Sequence, residues 1–278
     1  TSGIGGASVT PDAGGTASVG GASPNGGDAG ALASLGGATG GQAASMGGSG
    51  GSGGASGGSA SGGAAPILPL WVPQTQSLGQ HTCAINSNGS LKCWGWNESG
   101  RLGLGDTVTR GDDQNEMGAD LPLVNLGSGR AAKMVSLGQN FICALLDNSS
   151  VKCWGYGGAI GSGNSESLGD GQNEMGDALL PVELGIGRMA TGISSGNAHT
   201  CALLDNGAVK CWGFNGAGEL GIGSQLARGY AANQMGDNLP AVPLGAKVLS
   251  VALGGEHSCV VLLGNEVKCW GNNASGEL

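Results

Sequence analysis

Eight cysteines divide into four pairs, each with nine residues between its members: Cys83 and Cys93, Cys143 and Cys153, Cys201 and Cys211, Cys259 and Cys269. The second member always opens the tripeptide Cys-Trp-Gly, and successive first members lie 60, 58 and 58 residues apart. One structural unit is therefore repeated with its covalent chemistry inside it. A period this long, filled with short strand-like runs, points to β-propeller blades rather than helical solenoids.

Each unit contains four extended runs. In the third they are Met189 to Ser194, Thr200 to Leu204, Val209 to Trp212 and Ala241 to Leu244, the last entered through Leu239-Pro240. Short β-rich runs parted by Gly, Asn and Asp predict a four-stranded antiparallel blade. Between the second and third runs lies Asp205-Asn206-Gly207, with Ser87-Asn88-Gly89, Asp147-Asn148-Ser149 and Leu263-Gly264-Asn265 at the equivalent places. A three-residue hairpin loop ends on a left-handed residue, which Gly or Asn tolerates and Ser149 fits worst.

That loop fixes a register. Closing Leu204 against Ala208 sets Leu203 opposite Val209, Ala202 opposite Lys210 and Cys201 opposite Cys211. Directly opposed residues approach to Cα separations of about 4.5 to 5.5 Å, within disulfide range. The same reasoning in all four units predicts four disulfides, one inside each blade. Free buried thiols are a competing reading. Zinc is another, because His81, His199 and His257 each stand two residues before a cysteine, but the second unit has Asn140-Phe141 there and no Cys-x2-Cys hairpin occurs. Disulfides imply an extracytoplasmic setting, whether secreted, periplasmic or tethered to the cell surface.

Composition sets the domain limits. Residues 1–65 hold 24 of the 61 glycines and no Lys, Arg or aromatic residue. Such a segment buries too little apolar surface to offset its backbone entropy, so a disordered low-complexity linker is expected there, with the folded domain starting near Pro66. Within 66–278 the units run over about 71–130, 131–188, 189–246 and 247–278. The last is read as truncated and the chain as a fragment, since Asn272 to Leu278 copies only the start of Asn97 to Gly103. Residues 66–278 carry a formal charge of −7. Without clustered Lys and Arg, binding to nucleic acid is disfavoured. No apolar run reaches the roughly 18 residues of a transmembrane segment.

The motif assembled from these units is Gly-x-x-His-Thr-x-Ala-Leu followed by Asp-Asn-Gly-x-Val-x-x-Trp-Gly-x-Asn-x-x-Gly-x-Leu-Gly-x-Gly. It stands as His199 to Leu203, Asp205 to Gly207, Val209, Trp212-Gly213, Asn215, Gly218, Leu220-Gly221 and Gly223. The first unit repeats it through His81-Thr82, Asn88-Gly89, Trp94-Gly95, Asn97, Gly100, Leu102-Gly103 and Gly105. The motif resembles the regulator of chromosome condensation repeat, in the cysteine-paired bacterial form found in exported proteins. The resemblance covers about residues 71 to 278. It implies an all-β, seven-bladed propeller, of which about three and a half blades are present. The second unit departs at Tyr156 to Gly161, where the Asn is lost. Members of that family include an exchange factor for a nuclear GTPase and a propeller-type β-lactamase inhibitor, so shared fold does not carry shared function.

A longer element also recurs, as Asn115-Glu116-Met117-Gly118, Asn173-Glu174-Met175-Gly176 and Asn233-Gln234-Met235-Gly236, each followed by a Leu and a Pro. Placed between the third and fourth strands, the three copies are expected to form a ring of loops on one propeller face and to be the candidate binding residues. Their carboxylates, with Asp112, Asp113 and Asp120, are candidate cation ligands. The alternative is that the methionines plug the loops and the acids are solvated. Gln234 speaks for that alternative, and no metal or cofactor is expected.

Histidine repeated in register reads as a strand anchor rather than a catalytic base. Lys92, Lys152, Lys210 and Lys268, each preceding Cys-Trp-Gly, read as blade-edge cations. Asn-x-Ser sequons, among them Asn97, Asn148 and Asn273, carry no assigned role. The expected function is a non-catalytic exported propeller that binds a protein or surface ligand. The alternatives are a guanine nucleotide exchange factor-like regulator of a GTPase and an inhibitor of an extracytoplasmic enzyme.

Overall fold

The computed structural model describes residues 71–75 and 80–278. The segment 1–65 and the boundary near Pro66 lie outside the described residues. Among the described residues, twelve strands form four antiparallel sheets of three, each in sequence order: β1 (Trp71–Thr75), β2 (His81–Asn86) and β3 (Leu91–Gly95); β4 (Ala132–Leu137), β5 (Phe141–Leu146) and β6 (Val151–Gly155); β7 (Ala190–Ser195), β8 (His199–Leu204) and β9 (Val209–Gly213); β10 (Val248–Leu253), β11 (His257–Leu262) and β12 (Val267–Gly271). Strands β4, β7 and β10 lie side by side, so they form the inner edges of successive blades.

Hairpin register is as the loops dictate. Cys83 faces Cys93, Cys143 faces Cys153, Cys201 faces Cys211 and Cys259 faces Cys269. All four pairs are disulfides with Cα atoms 4.1 Å apart, and no cysteine is free. The third loop residue is left-handed in every blade: Gly89, Ser149, Gly207 and Asn265 have φ of 75°, 67°, 81° and 67°.

The core lies between blades. Side chains alternate across a strand, so neighbours in Cys-Trp-Gly point to opposite faces of the sheet. Cys83 and Cys93 join Leu91 and Leu102 of the first blade in a cluster with Val135, Ile142 and Trp154 of the second. Cys143 and Cys153 pack in turn with Ile193, Ala202 and Trp212 of the third, and Cys201 and Cys211 with Val248, Val260 and Trp270 of the fourth. The first three disulfides thus face the following blade, and Trp154, Trp212 and Trp270 the preceding one.

A glycine receives each tryptophan. A Cβ on Gly103 would lie 2.6 Å from Trp154 Nε1, on Gly161 2.8 Å from Trp212 Nε1, and on Gly221 2.6 Å from Trp270 Nε1. Trp154 Nε1 donates to the Arg101 carbonyl at 3.1 Å and Trp270 Nε1 to the Glu219 carbonyl at 2.8 Å. The turn bearing that glycine is held by a buried asparagine. Asn215 Nδ2 donates to the carbonyls of Ser224 and Leu226, while its Oδ1 accepts from Leu220 N–H; Asn97 does the same for Asp106, Val108 and Leu102. Where the second unit lacks the asparagine, Gly157 stands in its place at the start of a 3-10 turn (Gly157–Ala159), and a Cβ on Gly157 would lie 2.1 Å from the Glu166 carbonyl oxygen. Backbone occupies the space that the asparagine fills elsewhere.

The expected fourth strand is split. After β9 the chain pairs Arg228 with Gly213, leaves, and returns to pair Ala241 with Lys210, Val242 N–H donating to the Val209 carbonyl at 2.9 Å. The first two blades repeat this through Arg110 with Gly95 and Val124 with Leu91, and through Leu168 with Gly155 and Val182 with Val151. Pro240 and Pro243 have no N–H to donate, which limits the returning run to these few bonds. Near the axis, Gln139 N–H donates to the Asn197 carbonyl and Asn197 N–H to the Gly255 carbonyl, so the turns after the inner strands form a chain of hydrogen bonds from blade to blade.

Candidate functional site

The recurring Asn-[Glu/Gln]-Met-Gly element is the excursion that splits the fourth strand. It departs beside the C-terminal end of β3, β6 or β9 and returns beside its start, so it projects from the outer edge of the blade and not from a propeller face, as the sequence had suggested. Asn115, Asn173 and Asn233 are left-handed, with φ of 64°, 65° and 63°, and Gly118, Gly176 and Gly236 likewise, with φ of 66°, 69° and 65°. Such a bend favours Asn and Gly.

Between them the acidic or amide side chain folds back. Glu116 Oε2 accepts from the N–H groups of Gly111 and Asp113, and Glu174 Oε2 from Gly169 and Gly171, each at 2.8 to 3.1 Å. Gln234 Oε1 accepts from Tyr230 and Ala231 at 3.0 and 3.1 Å. The position needs one acceptor oxygen, which is why glutamine substitutes for glutamate there. These bonds, led by those from Asp113 and Gly111, hold the Glu116 carboxyl below its ordinary pKa.

Met175 and Met235 reach across to the preceding blade. Met175 Cε would lie 2.9 Å from a Cβ on Gly103, and Met235 Cε 3.2 Å from one on Gly161, so each packs beside the tryptophan seated there. Met117 lies near Gly111 and Trp94 of its own blade and is 41% exposed. The glycine carbonyl accepts from the repeated lysine: Lys152 Nζ to Gly176 at 2.7 Å and to Leu126 at 3.0 Å, Lys210 Nζ to Gly236 at 2.7 Å, and Lys92 Nζ to Gly118. Lys152 and Lys210 are buried, not edge cations. Burial lowers the pKa of both. Asp177 and Asp237 then accept from Ser128 N–H and Ile186 N–H of the preceding blade. The second and third copies are therefore inter-blade straps, and the asparagine side chains are exposed in all three copies.

No group of three or more His, Cys, Asp or Glu is placed to hold a metal ion among the described residues. One buried pair has the look of catalytic machinery. His199 Nε2 lies 2.9 Å from Ser258 Oγ, which in turn donates to the Glu219 carbonyl at 2.9 Å. Since the serine proton is committed to that carbonyl, Ser258 accepts and His199 donates. Burial, with a smaller contribution from His257, lowers the His199 pKa to about 4. A neutral donor imidazole against a wholly buried hydroxyl cannot generate a nucleophile for a substrate. In the second blade Phe141 occupies the histidine position, and Thr200 stands where Ser258 does.

A second repeated position escaped the motif. The residue after Cys-Trp-Gly is Trp96, Tyr156 or Phe214 in the first three blades, and these are 42%, 50% and 48% exposed. The readable signal was aromatic identity at one register position in a chain with only two Tyr and two Phe.

The regulator of chromosome condensation (RCC1) repeat matches residues 79–101, 190–219 and 248–277. The chain is 29% identical over 203 residues to the ultraviolet-B receptor UVR8 of Arabidopsis thaliana, covering 72% of this chain and 41% of that protein. It is 33% identical over 196 residues to the mitochondrial RCC1 domain-containing protein RUG3 of the same plant, covering 70% and 40%. It thus spans about two-fifths of the length of these relatives. Among solved structures, human WBSCR16 superposes with a TM-score of 0.56 at 15% identity over 75% of this chain and 49% of that one. Prp20p of Saccharomyces cerevisiae superposes with a TM-score of 0.51 at 22% identity over 70% and 43%. Both likenesses concern the fold.

Proposed function

The chain belongs to the regulator of chromosome condensation (RCC1) repeat family, and from that membership we propose a non-catalytic binding module, exported and stapled by disulfides, that holds a protein or cell-surface ligand. The observation that carries this reading is the fate of the chemically able side chains. Among the described residues His199, Ser258, Lys152, Lys210, Glu116, Glu174 and Gln234 all serve hydrogen bonds that hold blades or straps in place. What remains exposed and repeated is surface suited to contact: the asparagines of the straps and the aromatic row on the blade ends.

Export is supported by the cysteines. Every one is disulfide-bonded and six are buried between blades, an arrangement that persists in an oxidising compartment. No helix among the described residues is long and apolar enough to cross a membrane. The structure of Prp20p was described together with its binding to Gsp1p and histones. An exchange-factor role for this chain would require cytosolic partners and reduced thiols.

The test is paired. Fractionation with thiol labelling of the native protein is expected to find the eight cysteines oxidised and outside the cytosol. Crosslinking on intact cells is expected to return an extracytoplasmic partner, whereas release of nucleotide from a GTPase by the purified protein would replace this reading with the regulatory one.

A further inference from the structure

The exposed aromatic row is built, not incidental. Trp96, Tyr156 and Phe214 leave the sheet at the same point, their backbone N–H groups donating to the carbonyls of Gln80, Asn140 and Ala198 in the turns that precede β2, β5 and β8. Each ring has one side backed. The Arg101 guanidinium lies 4.5 Å from the centre of the Trp96 ring. A Cβ on Gly158 would lie 2.8 Å from Tyr156 Cε1 and 2.7 Å from Tyr230 Cε1, and one on Gly216 would lie 2.5 Å from Phe214 Cζ. Neither glycine has a left-handed φ, so it is the neighbouring ring that demands glycine there. Three platforms, one on each of the first three blades, are thus held against the surface with about half of each residue open to solvent.

Charge selects what can lie on them. The ring-bearing segments 96–101, 156–160 and 214–219, with the facing turns 138–140, 196–198 and 254–256, contain Glu98, Glu219 and Glu256 but Arg101 as their one cation. Arg101 is buried beneath Trp96. On a chain of net charge −9 this surface repels anionic polymers. A cationic partner is disfavoured for a different reason. The Trp96 ring, the strongest cation acceptor of the three, already carries a guanidinium, and Phe214 is a weaker acceptor. Amide side chains, Gln80, Gln139, Asn140 and Asn197, line the adjoining turns. Flat apolar platforms beside neutral hydrogen-bonding groups suit a ligand that is uncharged, apolar on its ring faces and hydroxylated at its edges.

We propose that Trp96, Tyr156 and Phe214 form a binding row for an uncharged polysaccharide, one sugar ring stacking on each platform. The assignment rests on the reading of the chain as a binding module and names its ligand class. The 278-residue protein is to be run in native affinity gels containing laminarin, hydroxyethyl cellulose or galactomannan, with alginate and poly-L-lysine as charged probes. The expected result is retardation by at least one neutral glycan, not by alginate, weakened about tenfold or more in the Trp96→Ala/Tyr156→Ala/Phe214→Ala variant, which corresponds to about 1.4 kcal/mol or more. Gly216→Leu, which displaces the Phe214 ring without removing it, is expected to weaken retention while the thermal transition and all four disulfides persist. Absence of retardation in every neutral glycan, or retardation that the triple variant keeps, overturns the assignment. Retention by poly-L-lysine alone also overturns it but leaves a binding module with a basic partner, so the two readings fail separately.

Discussion

At the scale of single residues, the repeat is most informative where copies differ. Ser149 holds a left-handed φ of 67° where Gly89 and Gly207 do the same work without a Cβ. Ser149→Gly is expected to raise stability by up to about 1 kcal/mol in urea unfolding, less the added entropy of the unfolded chain. His199 offers a second comparison, because Phe141 occupies its place one blade earlier. With its pKa lowered to about 4 in the fold, His199 takes up its proton more readily when unfolded. Stability is therefore complete above the ordinary histidine pKa of about 6.5 and is lost as pH falls from there toward 4. His199→Phe is expected to flatten that slope in unfolding measured between pH 4 and 7. An unchanged slope would place the titration elsewhere. Residue identity alone also misleads. Trp212 is fully buried and Phe214 is 48% exposed, although positions two apart on a regular strand share a face. Gly213, with φ of 106°, breaks the alternation between them.

At the scale of elements, the hairpins were legible and the straps were not. A three-residue loop fixes its own register within about a dozen residues, so cysteine pairing could be read from spacing. The split fourth strand could not, because Arg228 and Ala241 pair with β9 on either side of a twelve-residue excursion, and nothing in a short run reports where it returns. The lysine partners were hidden for the same reason. Lys152 bonds to Gly176 and Leu126, 24 and 26 residues away. The hairpin disulfides differ in cover. Six of the eight cysteines are buried against a following blade, while Cys259 and Cys269 are only part-buried. Mild reductant followed by alkylation and mass mapping is expected to open Cys259–Cys269 first. Each disulfide closes a short loop and contributes about 2 to 3 kcal/mol at most.

At the scale of the whole molecule, blades depend on their neighbours more than on themselves. Each three-stranded sheet leaves its apolar faces to be covered by the next copy, so stability resides in the interfaces. Trp154, wholly buried between the first two blades, should cost about 3 to 5 kcal/mol when replaced by alanine. Trp94, part-buried at the outer face of the first described blade, should cost clearly less in the same urea titration. Equal losses would show that the cores are not shared between blades.

The opposed directions of disulfide and tryptophan give the array a polarity. One face of every blade is a plug and the other a socket, so the contact is heterologous and joins head to tail. No contact of this kind specifies a final member. Unit number is then set by the small rotation between neighbours, and duplication of one unit yields a copy already equipped to seat on its parent.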